Sequence, residues 1–235
     1  MKSKPTISVV IPTYKESKTI QKLIRHLEAS TTTTRVAEII IADSGDSNAL
    51  VLAEKSKVVV IRAKKQRAAA MNAGANIAKG SILYFLHADT YPPKGWDQNV
   101  LDATGEDIVG GCFRLRFDDK HWFMRASGRM TRLSWGWLRF GDQSLFVQKD
   151  TFFKIGGFDE SMSILEDLEI VSRIKQTGRF VVLPQTVTTS AIKFQKYGRY
   201  RLQAIYIYIN LLYHAGASQD YLLKTYQTLL QRSTG

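Results

Sequence analysis

Cysteine is almost absent: Cys112 is the sole one in 235 residues. No intramolecular disulfide can form, which fits a reducing compartment such as the cytosol. Cys112 follows Gly110-Gly111 in a strand-like stretch, where a small buried hydrophobe is the expected role. Long apolar runs are lacking too, and none reaches the length that crosses a bilayer. The start, Met1-Lys2-Ser3-Lys4-Pro5, has no signal-peptide pattern and leads straight into a strand. The expected location is cytoplasmic, or peripheral on the inner face of the membrane. Acids are scarce, 21 against 33 Lys and Arg, and the net charge is +12. That surplus points to anionic partners: phosphates, nucleic acid or an acidic membrane face. No helix-turn-helix, zinc or ribonucleoprotein motif accompanies it, and the basic residues are scattered, so nucleic acid is not the expected partner. No internal repeat or low-complexity linker interrupts the chain.

What is present is an alternation. Thr6 to Tyr14 is a β-branched strand stopped by Pro12, and an amphipathic helix with Ile20, Leu23, Ile24 and Leu27 follows. Val36 to Ala42 is a second strand, with Glu38 its only charge, and Val58 to Ile61 a third. Arg67 to Ile77 is alanine-rich and helical. The apolar run Ser81 to Thr90, framed by Gly80 and Pro92-Pro93, reads as a buried central strand ending in His87 and Asp89. Strand and helix alternating in this way predict a doubly wound, mostly parallel sheet. Polar groups follow each strand: Thr13, Tyr14 and Glu16, then Asp43, then His87 and Asp89. They converge on the carboxyl edge, where open α/β sheets bind ligands. The plainer reading of Asp89 is a turn-starting residue.

The second half is less regular. Ile108 to Phe117, Gln143 to Gln148 and Phe180 to Leu183 read as strands. His121 to Phe140, rich in Arg, Trp and Met, has no clean period and reads as a packed loop or a lid. Ser163 to Gln176 is a helix carrying Glu166 and Asp167 early and Glu169 towards solvent. Tyr200 to Tyr213 is apolar nearly all round, so it is buried, a dimer face or on a membrane, with Arg199 and Arg201 beside it. Ser218 caps a last helix.

The stretches Ile7 to Tyr14 with Glu16, Asp43-Ser44-Gly45-Asp46-Ser47, Arg67 to Gly74, Phe85-Leu86-His87-Ala88-Asp89 and Glu166-Asp167 resemble, in order, the motifs of the family 2 glycosyltransferases. With Phe140-Gly141-Asp142-Gln143 and Gly156-Gly157-Phe158, the pattern is most similar to a bacterial subgroup of family-2-like transferases. The resemblance runs over roughly residues 5 to 185. It implies the α/β GT-A fold, a nucleotide-sugar donor and a divalent metal, Mg²⁺ or Mn²⁺. It places a transferase domain over 1–195, split near residue 95 into nucleotide-binding and acceptor halves, with a C-terminal helical appendage over 196–235.

The resemblance also assigns roles. Pro12, Thr13, Tyr14, Glu16, Asp43, Arg67 and His87 would bind the nucleotide, with Arg67 facing the diphosphate. Asp89 matches the last acid of the family's Asp-x-Asp motif and would hold the metal; His87 replaces the first acid. Asp167, with Glu166 beside it, would be the general base of an inverting transfer to a hydroxyl acceptor. Asp142, Gln143 and Trp137 would lie near donor or acceptor sugar, although core packing is the commoner fate of tryptophan. Acceptors in this family are often lipid-linked, and the C-terminal helices suggest a homodimer. The competing reading is a non-catalytic nucleotide- or nucleic-acid-binding protein on the same fold. A nucleotidyltransferase would leave the late acidic pair without a use.

Overall fold

The computed structural model describes residues 4–14, 17–45, 57–105, 107–130 and 144–231. In chain order the elements are β1 (Ile7–Thr13), α1 (Ser17–Ser30), β2 (Val36–Asp43), β3 (Val58–Arg62), α2 (Arg67–Ile77), β4 (Ile82–Phe85), β5 (Thr90–Tyr91), α3 (Trp96–Ala103), β6 (Ile108–Phe117), α4 (Trp122–Met130), β7 (Leu145–Gln148), α5 (Lys149–Lys154), α6 (Glu166–Thr177), β8 (Arg179–Thr189), α7 (Ile192–Tyr197), α8 (Arg199–His214) and α9 (Gln219–Gln231). The strands form one sheet in the order β3-β2-β1-β4-β7-β6-β8-β5. The first four are mutually parallel, as their crossovers require. β7 enters antiparallel between β4 and β6, and β8 returns parallel to β6.

The central strand is shorter than its apolar run predicts. β4 ends at Phe85, and the amide of Leu86 makes a last bond to Val10 O at 3.0 Å. The chain then turns, with Thr90 N bonded to His87 O at 3.1 Å, and Thr90-Tyr91 joins β8 instead. Five residue steps reach about 17 Å at full extension, whereas four flat inter-strand steps need about 19 Å. The sheet must therefore curl between β4 and β5 and cannot lie flat. The core inside that curl takes in Ile11 of β1, Leu27 of α1, Trp96 of α3 and Phe113 of β6. Tyr84 stacks on Trp96 with centroids 4.9 Å apart. The early end of β4 also explains Pro12: β1 runs on through it, where no β4 carbonyl needs its missing N–H.

Glu38 is buried in β2 because it has work inside. Its Oε1 accepts Ser8 Oγ at 2.7 Å and Lys79 N at 2.6 Å. Gly80 follows, and a Cβ there would stand 2.5 Å from Ser8 N, so only glycine lets the chain pass.

The second half of the chain departs further from the expected pattern. The aperiodic segment from His121 begins with a helix, α4, packed along the edge of β6 that β7 leaves open after Gly111. β8 is longer than Phe180 to Leu183, because a bulge absorbs Pro184 and Gln185 between the pairs Phe113–Leu183 and Arg114–Thr186. α8 is covered on one side only: Leu202, Ile205 and Ile209 are buried while Tyr200, Ile207, Tyr208 and Leu211 are exposed. Arg199 and Arg201 do not flank it as spare cations, since Arg199 pairs with Asp119 at 2.7 Å and Arg201 donates to Leu229 O. Cys112 is buried, as its sequence context predicts. Among the described residues no helix is long and apolar enough to cross a membrane.

Asp97, in the first turn of α3, is fully buried and anchors the Thr-rich loop after α1. It accepts Thr32 N at 3.0 Å, Thr32 Oγ1 at 3.1 Å and Thr33 N at 2.6 Å. Burial pushes its carboxyl up, but the bonds from Thr33 and Thr32 outweigh that and hold it below 3.8. A depressed folded value means the contribution is present above pH 3.8 and lost as pH falls through the lowered value. Urea unfolding of Asp97→Ala should show a loss of about 2–3 kcal/mol at neutral pH. The gap from the parent should narrow on acidification.

Candidate active site

The carboxyl ends of β1, β2 and β4 open into a cleft of about 330 Å³, lined by Thr13, Tyr14, Ser44, Lys65, Arg67 and Asp89 among others, with Pro12 and His87. Its floor follows from register. Thr13 stands opposite Asp43 in the parallel pair, and Thr13 Oγ1 donates to Asp43 Oδ1 at 2.9 Å. Asp43 is buried beneath the cleft and also accepts Gly45 N at 3.4 Å. Ser44 Oγ bonds Lys64 O at 2.7 Å, which ties the loop after β2 to the start of α2. Lys65 sits 5.1 Å over the Tyr14 ring. The sequence expectation brought Pro12, Thr13, Tyr14, Asp43, Arg67, His87 and Asp89 to one edge, and the structure gathers them there. Glu16, Asp142, Gln143 and Trp137 lie outside the described residues.

Arg67 opens α2, and its guanidinium joins three elements. Nε donates to Glu166 Oε1, Nη2 stands 3.3 Å from Asp167 Oδ2, and Nη1 is 3.3 Å from His87 Nδ1. The other ring nitrogen of His87 is 3.7 Å from Asp167 Oδ2. His87 thus engages Arg67 and Asp167 through its ring. Glu166 is 2% exposed and its second oxygen, Oε2, is buried without a hydrogen-bond partner. Burial pushes the Asp167 carboxyl up; the Arg67 charge and the His87 ring outweigh that and keep it below its ordinary value. It is ionised at neutral pH.

The acids are placed by a strained entry into α6. The helix starts at Glu166, later than Ser163, because Leu165 adopts φ +64° and turns the chain. A left-handed leucine is costly and persists only where its surroundings hold it. Gln219 Oε1 accepts Ser163 N at 3.0 Å and Ile164 N at 3.3 Å. Further back, Asn72 of α2 brackets Phe158, with Nδ2 to Phe158 O and Phe158 N to Oδ1 both at 2.9 Å. At Gly157, φ is +70°, and a Cβ there would stand 2.8 Å from Asn72 Oδ1, so a side chain has no room. Glu169, expected in solvent, instead pairs with Arg173 through two contacts of 2.5 Å.

A second cavity of about 330 Å³ adjoins the first. Arg67, Asp89 and Lys193 line both. Asp167 and Ser190 lie on its polar side, and Phe194, Tyr206 and Tyr226 on its apolar side. Tyr206 and Tyr226 stack with centroids 6.1 Å apart. Lys193 was not legible in the sequence: it comes from α7, far along the chain, with no motif around it. Trp122 is 65% exposed on α4, away from both cavities' linings.

For a divalent metal, the hard ligand lining the cleft is Asp89. Among the described residues no three His, Cys, Asp or Glu side chains form a metal-holding group. Mg²⁺ at phosphate sites is commonly held by one or two carboxylates, substrate phosphates and water. Asp89 fits an ion of that kind, bound largely through the ligand.

Removing Arg67 would leave Glu166 buried without its counter-charge. Arg67→Ala should lower stability by about 1–3 kcal/mol in denaturant unfolding. Adding Glu166→Gln should return part of that loss, a coupling read from the double-mutant cycle.

Comparison with known proteins bears on the family and the fold. The family described as "Glycosyl transferase family 2" matches residues 8–162, more than half of the chain. Glycosyltransferase AglE of Haloferax volcanii is 30% identical over 118 residues, 46% of this chain and 39% of that one. Validoxylamine A glucosyltransferase of Streptomyces hygroscopicus subsp. jinggangensis is 24% identical over 230 residues, 78% of this chain and 54% of that one. The undecaprenyl-phosphate 4-deoxy-4-formamido-L-arabinose transferase of Edwardsiella ictaluri is 31% identical over 136 residues, 53% of this chain and 41% of that one. The chain thus spans 39% to 54% of the length of these curated relatives. The mannosyltransferase PcManGT from Pyrobaculum calidifontis, solved with GDP-Man and Mn²⁺, superposes with a TM-score of 0.70 at 15% identity, covering 100% of this chain and 77% of that one. GalNAc-T7, solved with UDP, GalNAc and Mn²⁺, gives 0.63 at 19% identity, over 81% of this chain and 44% of that one. The sheet, helices and these neighbours together establish the GT-A fold. With a family match spanning β1 to the loop before α6, the chain belongs to glycosyl transferase family 2.

Proposed function

We propose that this chain is a glycosyltransferase that moves a sugar from a nucleoside-diphosphate sugar to an acceptor hydroxyl, with inversion at the anomeric carbon. The observation that carries the reading is the pair of adjoining cavities, one per substrate, with Arg67, Asp89 and Lys193 at their junction. The nucleotide takes the cleft over Pro12, Thr13, Tyr14 and Asp43, and Glu16 is assigned to the same ligand. The acceptor enters the second cavity, beside Asp167.

The acceptor oxygen attacks the anomeric carbon as the bond to the diphosphate breaks, and Asp167 takes the hydroxyl proton. Asp167 is held low by Arg67, and a carboxylate held low is a weak base. The arriving diphosphate competes for the same guanidinium. Once Arg67 turns to the phosphates, Asp167 loses the charge that held its value down, and its basicity rises when a base is needed. Arg67, Lys65 and Lys193 then face the negative charge that builds on the leaving group. Glu166 keeps Arg67 within reach of both partners. A divalent cation at Asp89, with His87 beside it, would add charge neutralisation of the leaving diphosphate. Asp142, Gln143 and Trp137 are assigned to the sugar-binding side.

The aromatic wall of the second cavity favours an acceptor with an apolar body, and a lipid-linked acceptor fits it. The undecaprenyl-phosphate transferases among the relatives support that choice. The exposed side of α8, with Tyr200, Ile207, Tyr208 and Leu211, would either rest on the membrane carrying it, on the cytoplasmic side, or be the face of the expected homodimer. The second reading is a nucleotide-binding protein without turnover, favoured by the ring of His87 where the family carries an acid.

Nucleoside diphosphate released from a panel of UDP- and GDP-sugars separates the two. The parent should turn over one donor, and Asp167→Asn should be slower by about 10²–10⁴-fold. Equal rates would remove Asp167 as the base, and no turnover of any donor by the folded parent would favour the non-catalytic reading.

A further inference from the structure

A third cavity, of about 200 Å³, lies between β6 and α4 and shares no residue with the two described above. Its lining includes Arg114 and Arg116 of β6, Arg125 and Arg129 of α4, and Thr186 of β8. Four guanidinium groups in one cavity repel one another, which raises the energy of the folded state unless a counter-charge is present. Among the described residues no carboxylate forms an ion pair with any of them. Arg116 is held in place by two bonds to Thr188 Oγ1, from Nη2 at 2.9 Å and Nε at 3.3 Å. Arg114 Nη1 reaches Pro184 O at 3.4 Å, but its Nε is buried and has no hydrogen-bond acceptor. A buried N–H of a cation without an acceptor is costly, and an anion in the cavity would satisfy it.

We propose that this cavity binds a phosphate-bearing group, a phosphate monoester or a diphosphate. Arginine rather than lysine at four positions matches the paired oxygens of a phosphate. The volume is below the roughly 300–1,000 Å³ of pockets that enclose whole drug-sized ligands, so it takes a headgroup and not a complete nucleotide sugar. Two sources carry this chemistry, a lipid headgroup and a soluble phosphate. Trp122, Arg125 and Arg129 stand at positions i, i+3 and i+7 of α4, and all three are exposed. A tryptophan beside arginines on an exposed helix face is the pattern of an anionic lipid surface. The site does not depend on glycosyl transfer, so its test is independent of the catalytic reading.

The test uses the full chain and two double variants of equal charge change. Arg125→Gln with Arg129→Gln removes the two cations that α4 brings to the cavity; Lys22→Gln with Arg25→Gln removes two cations from exposed positions of α1. Each is titrated calorimetrically with inorganic pyrophosphate and sedimented with phosphatidylcholine vesicles that contain or lack phosphatidic acid. The α4 variant should bind one pyrophosphate fewer, or bind phosphatidic acid vesicles at least about tenfold more weakly, for two lost charge-assisted contacts. Loss with vesicles alone assigns the lipid source; loss with pyrophosphate assigns the soluble one. The α1 variant should match the parent in both. Unchanged binding of the α4 variant to both probes would overturn the proposal. So would an equal loss in the α1 variant, since net charge alone would then explain the binding.

Discussion

The contact on which the site depends is the guanidinium of Arg67 between α2 and α6. Glu166 is buried at the start of α6, and a carboxylate taken out of water must be neutralised. Arg67 supplies that charge, and in doing so fixes how α6 stands against the nucleotide cleft. A cation opening a helix is unfavourable to the helix dipole, so α2 gains nothing from it locally. The gain is elsewhere: Glu166 and Asp167 open their own helix, where a negative charge is welcome. Each helix end carries the charge that the other needs.

The same contact joins structure to chemistry. Full enclosure would cost the pair its remaining hydration. Arg67 instead keeps 43% of its side chain exposed, at the junction of two cavities. It is bound firmly enough to place Asp167 and open enough for a phosphate to compete for it. His87 completes the arrangement, with one ring nitrogen towards Arg67 and the other towards Asp167.

The first half of the fold was legible because its strands are buried on both faces and read as continuous apolar runs. Val36 to Ala42 and Arg67 to Ile77 match their observed elements nearly residue for residue. Thr13 and Asp43 could be placed at one edge because parallel strands put their carboxyl ends together. The end of β4 could not be read, since Leu86 is as apolar as Leu83 and only the curl of the sheet takes it out of pairing. Leu165 gave no sign of its left-handed backbone, because the bonds that hold it come from Gln219 and the loop pinned by Asn72. The use of Arg199 and Arg201 was hidden for the same reason: a partner distant in sequence decides whether a cation is available. Lys193 joins the site only because the long β8 delivers α7 to the cleft.

The central claim is that the carboxyl edge of β1, β2 and β4 is a nucleoside-diphosphate site whose grip involves Arg67 and Asp89. The measurement that tests it most directly is the melting temperature of the full chain with UDP, GDP, CMP and dTDP, each with and without Mn²⁺. A ligand at a hundred times its Kd stabilises the folded state by about 2.7 kcal/mol. The account predicts a clear rise for one nucleoside diphosphate, larger with Mn²⁺, and a smaller rise in Asp89→Asn. No rise with any nucleotide in a folded sample would contradict it.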